Sequence, residues 1–80
     1  NPVTNISYSI ATNGQVEVSI FNIKGQKVKT LMNDNIEKGT HSVTWNGKDE
    51  NGNAVSSGLY FYQLKINNKP FSTKKMLLLK

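Results

Sequence analysis

The sequence predicts an all-β fold, an immunoglobulin-like antiparallel β-sandwich of six or seven short strands, and three observations carry that expectation. Apolar residues recur with a period of two, as in Ile6, Tyr8 and Ile10 or Val16, Val18 and Ile20, which is the spacing of strands buried on one face. Turn-forming clusters interrupt these runs roughly every 8 to 12 residues. No stretch of useful length spaces its apolar residues three and four apart, as an amphipathic helix requires.

Taken in order, residues 3–11 and 15–23 alternate on either side of Asn13-Gly14. That pair suits a type I′ turn, whose two central residues need positive φ, so an antiparallel hairpin is expected there. Lys24-Gly25 marks a second tight turn before a short strand carrying Val28 and Leu31. Residues 33–39, polar and ending in glycine, read as a longer loop. The next strand presents His41, Val43 and Trp45 on one face, and the two Asn-Gly pairs within residues 46–53 read as a wide loop. From Gly58 a central strand places Tyr60, Tyr62, Leu64 and Ile66 on one face and Leu59, Phe61, Gln63 and Lys65 on the other. Asn67, Asn68 and Lys69 turn the chain into a last strand ending in the apolar run Met76 to Leu79 between lysines.

Eighty residues form one domain, residues 1–80, with a single core. Cysteine is absent, so neither a disulfide framework nor a thiolate metal site is available and packing must supply the stability. The net charge of +5 comes from lysines alone, scattered from Lys24 to Lys80 with no arginine. Nucleic-acid binding is therefore not expected, because bidentate guanidinium contacts are missing. No apolar run is long enough to span a membrane, so no membrane insertion is expected. The opening Asn-Pro, without a methionine or signal segment, reads as the C-terminal part of something longer.

The residues offer no catalytic constellation. His41 lies in a strand pattern, no Cys accompanies it, and the serines lack a nucleophile elbow, so no enzyme activity is expected. Asp49, Asn51 and Asn53 place oxygens at alternate positions, but Gly52 falls at the fourth place and Tyr60 at the twelfth, which fails the calcium-loop pattern. No metal and no cofactor is expected. Tyr60, Phe61 and Tyr62 are consecutive, so at least one ring leaves the core face and a carbohydrate platform is conceivable; the alternative use of these rings is core burial. The tail Lys75, Met76, Leu77, Leu78, Leu79 and Lys80 puts apolar side chains on both faces of a terminal strand. That strand either completes its own sheet or serves as an edge for a partner. Gly14, Gly25, Gly47, Gly52 and Gly58 are assigned to structural turns.

The opening NPVTNISYSI, the segment IFNIKGQKVKTL, the stretch GTHSVTWNGKDENGNAVSSGLYFYQLK and the closing KKMLLLK together resemble the type A C-terminal sorting domain of the bacterial type IX secretion system. They are equally similar to its structural relative, the immunoglobulin-like domain of the flagellar hook-capping protein. The WNGKDENG to SGLYFY block is the most diagnostic part. The resemblance places Asn1 and Pro2 at the entry motif, Gly25 at the first turn and Asn46, Gly47, Asp49 and Gly52 in the long loop. Gly58 and Tyr60 fall on the central strand and Lys75 to Lys80 in the terminal signal. Val3 replaces the aromatic usual after Asn-Pro, and Asn46 stands where aspartate is typical.

The sorting-domain resemblance implies a non-catalytic secretion and surface-attachment module of a larger extracellular bacterial protein. Its alternatives are a carbohydrate-binding accessory module and a passive structural linker. The implied partners are the secretion machinery of the outer membrane, engaged through the tail, and surface lipopolysaccharide. The implied location is secreted or on the outer cell surface, reached via the periplasm.

Overall fold

The computed structural model describes residues 3–79. Asn1, Pro2 and Lys80, assigned above to the entry motif and the terminal signal, lie outside them. Six antiparallel strands, β1 (Thr4–Ile10), β2 (Gly14–Phe21), β3 (Lys27–Ile36), β4 (Gly39–Trp45), β5 (Gly58–Ile66) and β6 (Lys69–Leu78), form two sheets. β1 pairs with β4, and the second sheet has the order β3-β2-β5-β6. The fold is the immunoglobulin-like sandwich that the alternation predicts.

The period of two becomes burial on one face of each sheet. Ile6, Tyr8 and Ile10 point inward from β1, and β4 answers with Val43 opposite Ile6, His41 opposite Tyr8 and Trp45 opposite Thr4. In the larger sheet Val16, Val18 and Ile20 are fully buried on β2, which is flanked by β3 and β5. Two packed clusters result, one of Ile6, Ile20, Trp45, Tyr60 and Leu78 and one of Tyr8, Ile10, Val16, Val18 and Leu64. Trp45 fills the space between the sheets, where a disulfide stands in antibody domains. Its indole Nε1 donates to the Lys48 carbonyl at 3.0 Å, and the Tyr60 hydroxyl donates to the Ser56 carbonyl at 2.7 Å. Both large rings are therefore buried with their polar ends satisfied.

The expected hairpin around Asn13-Gly14 does not form, because β1 and β2 belong to different sheets. Gly14 instead opens β2 opposite Ile36, and the Asn13 side chain accepts a hydrogen bond from the Lys38 amide at 2.8 Å. The segment crosses between sheets because β2, with a wholly apolar inner face, gains partners on both edges in the larger sheet. The two-residue turn with positive φ occurs at Asn67 and Asn68, with φ of 52° and 68°, closed by Ile66 opposite Lys69. Asn67 also binds the start of β2, its amide donating to the Gln15 carbonyl at 2.8 Å and its Oδ1 accepting from the Gln15 amide at 3.0 Å.

Residues 33–36, expected in a loop, extend β3 to Ile36. Their polarity fits an edge strand, since β3 has only β2 as a partner and its outer side meets water. The turn from β2 to β3 is built on Asn22, whose Oδ1 accepts from the amides of Lys24 and Gln26, both at 3.0 Å. Gly25 lies in the same turn at φ 81°.

Candidate functional site

The outer face of the four-stranded sheet is where the chain leaves apolar side chains with no core to enter. Tyr60 and Leu64 of β5 are buried between the sheets, so strand alternation sends Leu59, Phe61, Gln63 and Lys65 outward. Cross-strand register then builds rows. Leu59 faces Leu77, Phe61 lies between Phe21 and Lys75, and Gln63 lies between Ser19 and Thr73. Leu59, Leu77 and Ile23 are 40%, 60% and 69% exposed. A shallow depression of about 230 Å³ opens between Phe21, Ile23, Phe61 and Thr73. These apolar side chains stand side by side across strands, whereas single exposed apolar residues are the ordinary condition of a surface.

Charge on this face is mostly positive. Glu17 is held by the Ser19 hydroxyl at 2.7 Å and by the Lys27 ammonium at 3.2 Å. The Ser19 hydrogen bond, with Lys27 and the more distant Lys65, holds the Glu17 carboxyl below its ordinary range, against the upward push of partial burial. Lys65 and Lys75 share the outward side of their strands.

The loop from Asn46 to Ser57 is closed by its own bonds. Asp49 Oδ1 accepts from the amides of Asn51 at 2.9 Å and Asn53 at 3.0 Å, and Asn46 Oδ1 accepts from Lys48 at 3.2 Å. The Asp49 amide donates to the Asn53 carbonyl and Lys48 pairs with Ala54. Glu50 Oε2 accepts from the Thr30 amide at 3.4 Å. Both carboxylates here accept from backbone amides, Asp49 within its own turn and Glu50 from strand β3. Among the described residues no three His, Asp or Glu side chains converge as a metal site would require. Gly25, Gly47, Gly52 and Gly58 have φ of 81°, 76°, 81° and 151°, whereas Gly14 is an ordinary strand residue.

The tail is part of the sandwich. Met76 and Leu78 turn inward, Leu78 to 1% exposure beside Trp45 and Ile20, while Leu77 and Leu79 turn outward at 60% and 68%. Lys74 and Lys75 stand opposite Tyr62 and Phe61 on β5.

The family model described as the FlgD Ig-like domain matches residues 4–69. The chain belongs to the FlgD Ig-like domain family. A solved structure of FlgD from P. aeruginosa is similar, with a TM-score of 0.72 and 26% identity, covering 96% of this chain. The chain spans 61% of the length of that FlgD chain. No curated protein matches.

This relation to FlgD corrects the functional expectation drawn from the sorting-domain resemblance. The match points to a FlgD-like domain and not to a type IX sorting module or a carbohydrate-binding module. The structure also places the tail and the three rings. Half of the tail's apolar run is taken up by the core, and the strand that carries it is an edge of its sheet. Of the three consecutive rings, Tyr60 is buried and Tyr62 packs against the same core, so Phe61 alone turns outward, beside Phe21. The outer face was only partly visible in the sequence. Phe61 signals it by standing out of phase with the core tyrosines, but Phe21, Leu59 and Leu77 join it only through strand pairing.

Proposed function

We propose that this chain is a non-catalytic docking module of a FlgD-type flagellar hook-capping protein, binding other proteins of that assembly through the outer face of its four-stranded sheet. The observation that carries the reading is the FlgD match, which extends over 96% of the chain at a TM-score of 0.72. The surface supports it chemically. Leu59, Phe61, Phe21 and Leu77 offer an apolar centre, and Lys65 and Lys75 on the same face favour a protein partner with carboxylates at its rim. The two carboxylates of the long loop, Asp49 and Glu50, are taken up by backbone amides. The proposed partners are proteins, not nucleic acid, and the proposed place of work is outside the cytoplasm.

The test is genetic and structural. In the bacterium that encodes the chain, the parent protein carrying Leu59→Ser and Leu77→Ser is expected to accumulate normally yet give fewer complete hooks by electron microscopy. Hooks of normal number and length in that strain, and in one lacking residues 1–80 altogether, would remove the reading. Protease added to intact cells tests the location.

A further inference from the structure

Both sheets have edges, and they are guarded unequally. The edge strand β6 carries Lys69, Lys74 and Lys75, contains Pro70, and is irregular between Leu64 and Lys65 of its partner. The opposite edge strand, β3, carries Lys27, Lys29 and Asp34 and is broken by two register shifts. Charges, proline and bulges are the devices that keep free edges from pairing. β4 comes close to β3 at a few positions without pairing with it. β1 has none of these protections. Its seven residues, TNISYSI, include no charge and no proline, and they pair with β4 in one unbroken register. Among the described residues its backbone bonds to β4 alone, so one whole edge is unpaired.

The same edge borders an unfinished part of the sandwich. A two-stranded sheet cannot cover four strands, and between β1 and β6 a groove of about 200 Å³ exposes the inner side of the larger sheet. Tyr62 and Leu64 form its floor, Phe71, 63% exposed, its apolar wall, and Lys74 its charged wall. Lys74 has no ion-pair partner among the described residues. One further strand beside β1 would satisfy the open backbone and cover this groove together.

We propose that β1 is a receptor edge for an extended segment of another protein, about five to seven residues long, with apolar side chains at alternate inward positions and a carboxylate between them to meet Lys74. A second copy of this chain fits less well, since each brings a net charge of +5 to the same seam. The inference rests on the sandwich alone and stands apart from the flagellar reading, which concerns the opposite face of the larger sheet.

The probe is a capped seven-residue peptide, Thr-Val-Thr-Glu-Thr-Val-Thr, whose sequence reads the same in both directions and so serves either strand orientation. Titrated into the isotope-labelled chain, it is expected to move the amide resonances of residues 4–10 and of the groove, with a dissociation constant at or below about 1 mM. Lysine in place of the peptide's glutamate should weaken binding about tenfold. The Lys74→Glu variant should reverse that preference, and N-methylation of the three central peptide amides should abolish binding. No movement of β1 resonances at that concentration overturns the proposal, as does binding indifferent to N-methylation. Self-association through β1 without peptide also overturns it, by naming a second copy as the occupant.

Discussion

Trp45 and Tyr60 meet edge to face with ring centroids 5.2 Å apart and planes at 69°, each anchored at its polar tip to a backbone carbonyl of the loop between β4 and β5. The pair joins the two sheets and ties the long loop to the core. Trp45→Ala should therefore cost about 3–5 kcal/mol, the range for removing a fully buried large aromatic. Urea unfolding followed by circular dichroism measures this, and a loss below about 1 kcal/mol would show that the core closes without the indole.

Tyr60→Phe keeps the ring contact and removes only the hydroxyl that donates to the Ser56 carbonyl. The expected loss is about 1 kcal/mol, with faster hydrogen exchange in residues 46–57 and little change elsewhere. Uniform change across the strands would instead place the effect in the whole core.

The tail provides a paired comparison. Leu78→Ala removes a side chain packed on Trp45 and Ile20 and should cost about 2–5 kcal/mol. Leu77→Ala, one residue earlier and outward-facing, should change stability by about 0.5 kcal/mol or less. Equal effects would mean that β6 does not hold the register described.

At Asn68, φ of 68° is strained for a β-branched side chain. Asn68→Val should destabilise by about 1–2 kcal/mol, and Asn68→Gly should be neutral or mildly stabilising. Thermal melts of both variants give the comparison.

Glu17 gives a pH dependence with a fixed sign. Its carboxyl titrates lower in the folded chain, first through the Ser19 hydrogen bond and then through Lys27 and Lys65. The stabilisation is complete above the ordinary glutamate range and is lost as pH falls through the lowered folded value. Ser19→Ala should remove much of this dependence, so that wild type and variant converge in acid and separate near neutrality. Parallel stability curves across that range would contradict the assignment.

Much of the sandwich was legible because alternation is a local property. His41, Val43 and Trp45 on one side of β4, and Tyr60, Leu64 and Ile66 on the inner side of β5, follow from counting by twos. Which strands pair is a non-local matter. Asn13-Gly14 has the chemistry of a tight hairpin, but turn preference is worth less than the two partners β2 gains in the larger sheet. The run Met76 to Leu79 was opaque for another reason. When every residue is apolar, the phase of alternation leaves no mark, and only packing reveals that Met76 and Leu78 point inward. The outer face was hidden likewise, because Phe21, Phe61, Leu59 and Leu77 come together through register across three strands.

The placement of Leu78 against Ile6 and Trp45 bears on how the chain acquires its shape. The first strand finds its partner in the fourth, and the core containing Trp45 is completed by Leu78 of the sixth. The cluster around Trp45 therefore cannot close within this domain until β6 is available, although the cluster of Tyr8, Val16, Val18 and Leu64 needs only β1, β2 and β5. Long-range closure of this kind belongs to the slow end of small-protein folding, from milliseconds to seconds.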